Sequence, residues 1–382
     1  GKMFENVEHG EETPEGDETQ YKRRRETVLK KNDKIMDILN NSNFTRDEMV
    51  NHVDSTLTVT FPPLEGDKVT LIGSTFIRQG IDDDPYLNHA VVLNTCDDVT
   101  SLENTEVESY NTEKELLQGW TNIIQRENPD IIIGYNIFGF DYEFMFQRAK
   151  ENGIARKFLQ LSRNKGEVCG KTNKHDELQI EESTLIIASG QHDLKFINMP
   201  GRLQIDLYNY FRREQNLTSY KLDSVAGEFI GDKVKSCEWD ETTQQSLIKS
   251  GNLTGLKNKT YVCFEEIGHS TEKVQDGHKF IVDNVDEKAG TFTIDEEPTF
   301  TPGKPVRWCM AKDDVTPQDL FRLANGTSAD RAIIAKYCYQ DCNLVHHLMK
   351  KMDIITGFVE MAKICSVPMN FIVMRGQGIK LL

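Results

Sequence analysis

An apolar run that ends abruptly in polar residues constrains this chain more than any other feature. Residues 130–133 read Asp-Ile-Ile-Ile, and residues 134–144 continue as GYNIFGFDYEF. Short apolar runs bounded by turn-forming residues are typical of buried strands. The acid Asp141 therefore lies between Phe140 and Tyr142, just beyond a predicted strand. Both a helix N-terminus and a metal site favour an acid at such a position, so the surrounding sequence has to decide between them.

The segments before this run predict a mixed α/β layer. Residues 68–77 and 89–95 have the composition of strands and are separated by a turn-rich stretch. Residues 112–128 carry apolar side chains at helical spacing, namely Leu116, Leu117, Trp120, Ile123 and Ile124. Two strands, a helix and a third strand within about 75 residues are typical of a sheet covered by helices.

Composition limits the functional classes without choosing among them. The 382 residues include 61 acidic and 45 basic side chains, which gives a net charge of −16. Taken alone, this charge argues against a nucleic-acid binder, because Lys and Arg supply phosphate contacts. It fits an enzyme that holds cations between carboxylates, or a fragment whose basic domains are missing.

Apolar runs and cysteines predict an intracellular protein that does not cross a membrane. There is no apolar run of about 18 residues, the length that a membrane span requires. The eight cysteines are scattered and form no C-x-x-C pair, so we expect buried thiols in a reducing compartment. The chain begins without Met, and we expect it to be a piece of something longer.

A second acid lies far along the chain in a helical pattern. Tyr337 and Asp341 are four residues apart in a segment, 327–365, that predicts one long helix or two consecutive helices. At that spacing both side chains share one helix face and can point into one site. The pattern is weak by itself, but its occurrence 200 residues after Asp141 in a fixed order is far rarer than either half.

These two motifs resemble motifs of a known protein family. NIFGFD at 136–141 and YCYQD at 337–341 resemble the second and third exonuclease motifs of family B DNA polymerases. The resemblance extends from Phe61 to Leu382, and its insertion is most similar to the delta-like polymerases of large nucleocytoplasmic DNA viruses. Other segments that carry it are FPPLEGDKVTLIGSTF, NPDIIIGYN, MPGRLQIDLYNYFRRE, LTSYKLDSVAGEFIG and VPMNFIVMRGQGIKLL.

The resemblance implies a 3′→5′ proofreading exonuclease that uses two Mg²⁺ or Mn²⁺ ions. It implies Asp141 and Asp341 as metal ligands and Tyr337 as the residue that orients the attacking water. The residues near the single-stranded 3′ end would be Asn136, Phe140, Tyr220, Lys221 and Leu222, although Lys221 departs from the family's more common Ser or Thr. The implied partners are primer-template DNA, dNTPs in the intact polymerase and a sliding clamp.

The implied fold class is α/β, a ribonuclease H-like exonuclease domain with a mixed sheet and an inserted β-meander. We expect a polar, partly disordered insertion over 1–60, followed by the first part of the exonuclease domain over 61–234. The remaining expected segments are the meander at 235–312, the helical end of the domain at 313–365 and a connection towards the polymerase palm at 366–382.

One part of the family pattern is missing. The family's first exonuclease motif, Asp-x-Glu on a buried strand, does not occur before Phe61, so we expect this chain alone to be inactive. An alternative function is a nucleic-acid-binding module with the exonuclease fold that does not cut. A third is a free-standing nuclease in which Asp295 or Glu297 substitutes for the missing acids. Asp206, in GRLQID, is interpreted as structural.

Overall fold

The computed structural model describes residues 40, 42–60, 66–174, 176–187, 190–268, 270–312 and 315–374. The chain divides into two compact units, residues 1–67 and 68–382. The described part of the first unit contains a helix, α1 (Arg46–Thr60). Most of residues 1–60, for which partial disorder is predicted, lie outside the described residues. The described end of this range is helical.

The second unit begins with a three-stranded sheet. Strands β1 (Leu71–Phe76) and β2 (Leu87–Leu93) confirm the two predicted strands and pair antiparallel. A third strand, β3 (Thr105–Tyr110), pairs parallel to β2. It was missed because its sequence, TEVESY, alternates with acidic residues and contains little apolar material.

The predicted helix follows β3 as α2 (Glu113–Glu127). It begins with a capping box, in which Thr112 and Glu115 each satisfy a backbone N–H of the other. It ends where Asn128 adopts a left-handed conformation with φ 47°. The five apolar residues at helical spacing form the buried face of α2, which packs against the sheet: Leu116, Leu117, Trp120, Ile123 and Ile124.

Strand β4 (Ile131–Gly134) confirms the strand predicted at 130–133. Its partner is β9 (Leu203–Asp206), which runs parallel to it. The periodicity of residues 201–231 predicts helices, and the strand near the start of this segment corrects that prediction. Four residues are too few for a period to be read, and its parallel partner lies more than sixty residues away in sequence.

Between β4 and β9 the chain forms short elements that complete this side of the molecule. A π-helical turn (Ile137–Asp141) leads into α3 (Tyr142–Glu151) and α4 (Ala155–Phe158). Next come the two short strands β5 (Lys171–Thr172) and β6 (Leu178–Gln179) and the hairpin β7 (Glu181–Ile187) with β8 (Gly190–Phe196). After β9 the chain forms α5 (Leu207–Glu214) and α6 (Leu222–Phe229).

Residues 231–311 form a closed barrel rather than the predicted meander. Its strands are β10 (Gly231–Asp240), β11 (Gln245–Ser250), β12 (Tyr261–Ile267), β14 (Phe280–Asp286), β15 (Thr291–Ile294) and β16 (Val306–Ala311). They pair in the order β12-β14-β15-β11-β10-β16, and β16 returns to β12. A short strand, β13 (Thr271–Lys273), pairs with the end of β12. Closure satisfies strand edges that a meander would leave unpaired.

The interior of the barrel is aromatic. Phe264, Phe280, Phe292 and Trp308 are fully buried there. The indole N–H of Trp308 donates to the Ser250 hydroxyl at 2.9 Å, which satisfies its polar atom inside the core. The connectivity could not be read from the sequence, because alternation of apolar and polar residues indicates a strand but not its partner.

The C-terminal part is helical, as expected from its periodicity. Helix α7 (Pro317–Ala324) precedes α8 (Ser328–Lys351), which begins with a capping box between Thr327 and Asp330. The segment left open as one or two helices forms two, because Asp353 adopts φ 48° between α8 and α9 (Ile354–Cys365). A last helix, α10 (Met369–Met374), follows.

Helix α8 packs across β1 and β2 and reaches β4. The contact with β1 is close, since a Cβ at Gly73 would lie 2.5 Å from Cys338 Sγ. Within the described ranges, β1 pairs only with β2, and β4 pairs only with β9. Helix α8 therefore packs against both sheets. Strands β1 and β4 each have one edge that pairs with no described strand. None of the described helices has the length and apolar character to cross a membrane.

Candidate active site

A tight turn at the end of β4 places the first predicted acid. Asn136 adopts a left-handed conformation with φ 64° and ψ 24°, and the π-helical turn follows at once. A Cβ at Gly139 would lie 2.3 Å from Asn136 Oδ1, so the turn requires glycine there. The turn ends at Asp141, directly before α3.

Asp206, at the end of the neighbouring strand β9, holds this turn in place. Its carboxylate accepts backbone N–H bonds from Asn136 at 2.8 Å, Phe138 at 3.0 Å and Tyr208 at 3.0 Å. Asp206 is only 3% exposed, and burial raises its pKa to about 6 although these bonds favour the ionised form. Such contacts fit the structural interpretation of this residue.

Asp141 differs from Asp206 in its surroundings. The residue is exposed, yet the protein around its carboxyl group removes enough hydration to raise its pKa to about 6. No ion pair reaches it from the residues that the structure describes. A carboxylate that is accessible to solvent but poorly solvated gains most from a bound cation.

Asp341 and Tyr337 lie on α8, as their spacing predicts. The Lys312 ammonium, just after β16, contacts Asp341 Oδ2 at 2.7 Å and lies 5.1 Å from the centre of the Tyr337 ring. Burial raises the pKa of Asp341, while Lys312 opposes this shift. Burial also raises the pKa of Tyr337, so its hydroxyl stays protonated at neutral pH. Lys312 was not identified from the sequence, because no spacing rule links it to either motif.

A cleft of about 610 Å³ opens beside Tyr337. Five predicted site residues line it: Asn136, Tyr220, Lys221, Leu222 and Tyr337. It also contains residues that sequence reasoning missed, namely Tyr135, Tyr208, Thr218, Ser219, Asp223, Lys279 and Lys312. The Tyr135 hydroxyl donates to the Tyr220 carbonyl oxygen at 2.6 Å, which ties the end of β4 to the segment before α6. The cleft thus combines aromatic rings with ammonium groups.

The two predicted metal ligands lie outside the lining of this cleft. The pKa of Cys342 is raised by its hydrogen bond with Cys338 and by burial, and further by the charges of Asp341 and Asp141. Phe140 also lies outside the lining; it is 58% exposed and stacks on Phe144 with ring centres 5.4 Å apart.

The alternative acids in the barrel are placed differently. Asp295 accepts the backbone N–H of Ile281 at 3.1 Å, and neither Asp295 nor Glu297 lines the cleft. This contact joins Asp295, which follows β15, to the neighbouring strand β14 of the barrel. It offers no support for a substitute acid in a nuclease site.

A group with the ligand spacing of a metal site lies on β2 and β3. It consists of His89, Glu106 and Glu108, and it includes neither predicted ligand. Arg126 already pairs with Glu106 at 2.7 Å and with Glu108 at 3.5 Å. Because a guanidinium occupies these carboxylates, we interpret this group as a charge network beneath α2.

Comparison with known proteins shows that this chain is similar to several DNA polymerases. A "DNA polymerase" of Phaeocystis pouchetii virus is 41% identical over 355 residues, covering 91% of this chain and 34% of the relative. A "DNA polymerase" of Pyramimonas orientalis virus is 36% identical, covering 93% of this chain and 28% of the relative. The "DNA polymerase delta catalytic subunit" of Arabidopsis thaliana is 26% identical over 84% of this chain and 21% of the relative.

The chain spans about a third of the length of these viral relatives. Residues 52–225 match the family described as DNA polymerase family B, exonuclease domain. This range includes Asn136, Phe140, Asp141 and the segment 220–222. The resemblance inferred from the motifs is confirmed: residues 52–225 match the exonuclease-domain family of family B DNA polymerases, and the chain is similar to viral and delta-type DNA polymerases.

Proposed function

We propose that this chain is the proofreading exonuclease region of a replicative DNA polymerase and has a ribonuclease H-like fold. Its reaction would be hydrolysis of the 3′-terminal phosphodiester of a mispaired strand. The observation that carries the proposal is a cleft of tyrosines and lysines lined both by Asn136, in the turn that ends at Asp141, and by Tyr337, one helical turn before Asp341. In the intact polymerase, the substrates would be primer-template DNA and dNTPs, and a sliding clamp would be a partner.

The donor chemistry of the two acids fits hard divalent cations. Mg²⁺ and Mn²⁺ prefer carboxylate oxygens, and Asp141 is a poorly solvated carboxylate without an ion pair among the described residues. Two such ions, when bound, would activate water and stabilise the leaving 3′ oxygen. Asp341 would exchange its contact with Lys312 for one with a cation, which leaves the Lys312 ammonium available to the phosphate.

The protein side chains would then position the reacting strand. The protonated hydroxyl of Tyr337, on the same helix face as Asp341, would orient the attacking water by hydrogen bonding. Asn136 and Leu222 would border the terminal nucleotide in the cleft. Phe140 would stack on an unpaired base, since an exposed aromatic ring offers its face to any base.

The missing acids would come from a strand that lies outside this chain. The backbone carbonyls of Thr70 and Phe76 accept N–H bonds on the β2 side. Because carbonyls alternate along a strand, those of Gly73 and Thr75 point to the opposite edge of β1. There they meet side chains of α8, with Cys342 Sγ at 3.7 Å and His346 Nε2 at 3.4 Å. The edges of β1 and β4 that pair with no described strand support an added strand that carries Asp-x-Glu, which would replace these two side-chain contacts on β1.

A single-stranded oligonucleotide tests the strand-binding part of the proposal. Replacing Phe140 by Ala is expected to weaken binding of oligo(dT) about tenfold, because stacking of one base contributes about 1–3 kcal/mol. The measurement is fluorescence anisotropy at low salt with EDTA, so that metal binding does not contribute. The matched control is Phe321→Ala, which removes another exposed ring, on α7. Equal loss in both variants, or none in Phe140→Ala, would contradict this role.

A second function is favoured by one contact. Lys312 already pairs with Asp341, as it would in a binding module that holds no cation at this acid. The two functions differ when the chain is extended upstream. Metal-dependent release of mononucleotides from a mispaired 3′ end by the extended protein supports the exonuclease. Oligonucleotide binding without any cleavage supports the binding module.

A further inference from the structure

The barrel is joined to the cleft through strand β16. Lys312, which follows this strand, lines the cleft, and its carbonyl oxygen accepts a bond from Lys279 Nζ at 2.6 Å. Near the start of β16, the Arg307 guanidinium donates to the carbonyl oxygen of Gly227 on α6 at 2.6 Å. Helix α6 begins at Leu222, which also lines the cleft, and Gly227 follows about 8 Å further along the helix axis. The outer surface of the barrel around Arg307 is therefore close to the cleft.

Four basic side chains lie on the outer surface of three neighbouring strands. Arg307 on β16 is directly opposite Lys233 on β10, and Lys249 lies on β11, the strand on the other side of β10. A β-bulge in β10 places its additional residue, Lys235, opposite Lys249. All three lysines are exposed, since they alternate with residues that point into the barrel. These four residues form the barrel patch.

The barrel patch places like charges next to one another. Lys233 faces Arg307, and Lys235 faces Lys249. Like charges directly opposite each other in a sheet are destabilising. None of the three lysines forms an ion pair with a residue that the structure describes. The patch therefore does not stabilise the barrel, which favours a role in binding an anion.

The acidic groups around the barrel patch have other partners or lie at its edge. Glu265 on β12 is the carboxylate near Arg307, with an Oε2–Nε distance of 3.9 Å. Asp232 Oδ2 accepts the Ser250 hydroxyl at 2.9 Å and two backbone N–H groups. Further along β10, the exposed Glu238 ends the run of basic residues. In a chain with a net charge of −16, the patch is a local surface of the opposite sign.

The spacing and composition of the barrel patch indicate the kind of ligand that it fits. Its cations are about 5 Å apart between neighbouring strands and about 7 Å apart along β10. A nucleic-acid backbone carries closely spaced charges and contacts several such cations at once. Protein partners bind instead through aromatic and apolar residues at the centre of an interface. The centre of this patch consists of lysines, so nucleic acid is the better match.

We propose that the barrel patch binds backbone phosphates of the DNA strand whose 3′ end lies in the cleft, several nucleotides before that end. This inference rests on the proposed function and extends it, because it gives the inserted barrel a role in holding the strand. The ligand is the phosphodiester backbone of single-stranded DNA. Contacts to phosphate position a strand without reading its sequence, so binding at the patch would not depend on the bases.

The test compares oligo(dT) of about 4 nucleotides with oligo(dT) of about 16 nucleotides, the range of lengths that one binding unit covers. Binding to the whole chain is measured by fluorescence anisotropy in EDTA at several salt concentrations. Lys233→Gln combined with Lys249→Gln should weaken binding of the longer oligonucleotide several-fold. It should also lower the slope of log K against log salt by about 1.4, the value for two phosphate contacts on a single strand. Binding of the shorter oligonucleotide, which occupies the cleft alone, should not change.

Two further variants separate charge from structure. Lys233→Arg combined with Lys249→Arg keeps both charges and should retain the wild-type slope. Lys114→Gln combined with Lys165→Gln is the matched control, because these exposed lysines lie outside the barrel and the same charge is removed. It should leave affinity and slope unchanged. In denaturant titration, the Gln variant of the patch should be at least as stable as wild type, because it loses a repulsion with Arg307.

The outcomes distinguish this inference from the function on which it rests. An unchanged slope for the longer oligonucleotide, with normal binding by the wild-type chain, would overturn the inference alone and leave the patch to an acidic protein partner. Equal losses in the patch variant and in the matched control would also overturn it, because they would indicate a general charge effect. A wild-type chain that binds neither oligonucleotide would overturn the proposed function as well.

Discussion

Replacing Asp141 by Ala in a polymerase that carries this segment is expected to slow excision of a mispaired 3′ nucleotide about a thousandfold. The physical reason is the loss of a carboxylate that would hold a catalytic cation, whose stabilisation of developing charge contributes several kcal/mol. The rate of nucleotide addition on a paired primer should stay unchanged. Both rates are measured by gel analysis of labelled primers under single-turnover conditions.

Asp341→Ala should reproduce this loss, and the double variant should lose little more, since residues that act as one unit are not additive. Glu287→Ala is the control, because Glu287 is an exposed acid in the β14–β15 turn of the barrel. Normal excision by Asp141→Ala would remove this residue from the metal site. A similar loss in Glu287→Ala would show that net charge, and not a ligand, determines the rate.

The second large effect concerns stability. Arg148 on α3 pairs with Glu113 at the start of α2, with an Nη2–Oε2 distance of 2.6 Å and side chains 3% and 4% exposed. Glu113 also accepts the backbone N–H of Val69 at 2.8 Å and an amide N–H of Asn152 at 2.9 Å. Arg148→Met is expected to lower the free energy of unfolding by about 3–5 kcal/mol, because it leaves a buried carboxylate without its counter-charge. Denaturant titration measures this change.

A compensating variant and the pH dependence check the cause. Glu113→Gln combined with Arg148→Met should be more stable than Arg148→Met alone, because no unpaired charge remains buried. Burial raises the pKa of Glu113, but the bonds from Arg148, Val69 and Asn152 outweigh it, and the pKa is lowered. A lowered pKa stabilises the fold above the unfolded-state pKa, and this contribution is lost as the pH falls through the folded-state pKa. The difference between wild type and Arg148→Met should therefore shrink in acid; a constant difference would exclude the ion pair as its cause.

Local signals were sufficient for helix α2 and for strands β1, β2 and β4 of the α/β layer. Helix α2 followed from five apolar residues at helical spacing, a signal that acts within a few residues, and the structure adds the cap at Thr112. Strand β4 followed from three consecutive isoleucines. Strand β9 was missed because it has only four residues and is stabilised by parallel pairing with β4. The barrel was predicted as a meander because strand periodicity reveals the elements but not their partners.

For the candidate site, too, some features follow from the sequence and others only from the tertiary structure. The sequence by itself determined the family resemblance, because motif order and spacing do not depend on coordinates. The acids and the aromatic and amide residues around them remain predictions from the same motifs. Only the tertiary structure showed that Asp206 holds the turn of Asn136, that Lys312 pairs with Asp341 and that a barrel lysine reaches the cleft. These contacts join residues between 29 and 70 positions apart. No local preference encodes such pairs, because burial, charge and backbone geometry select them only when distant elements pack together.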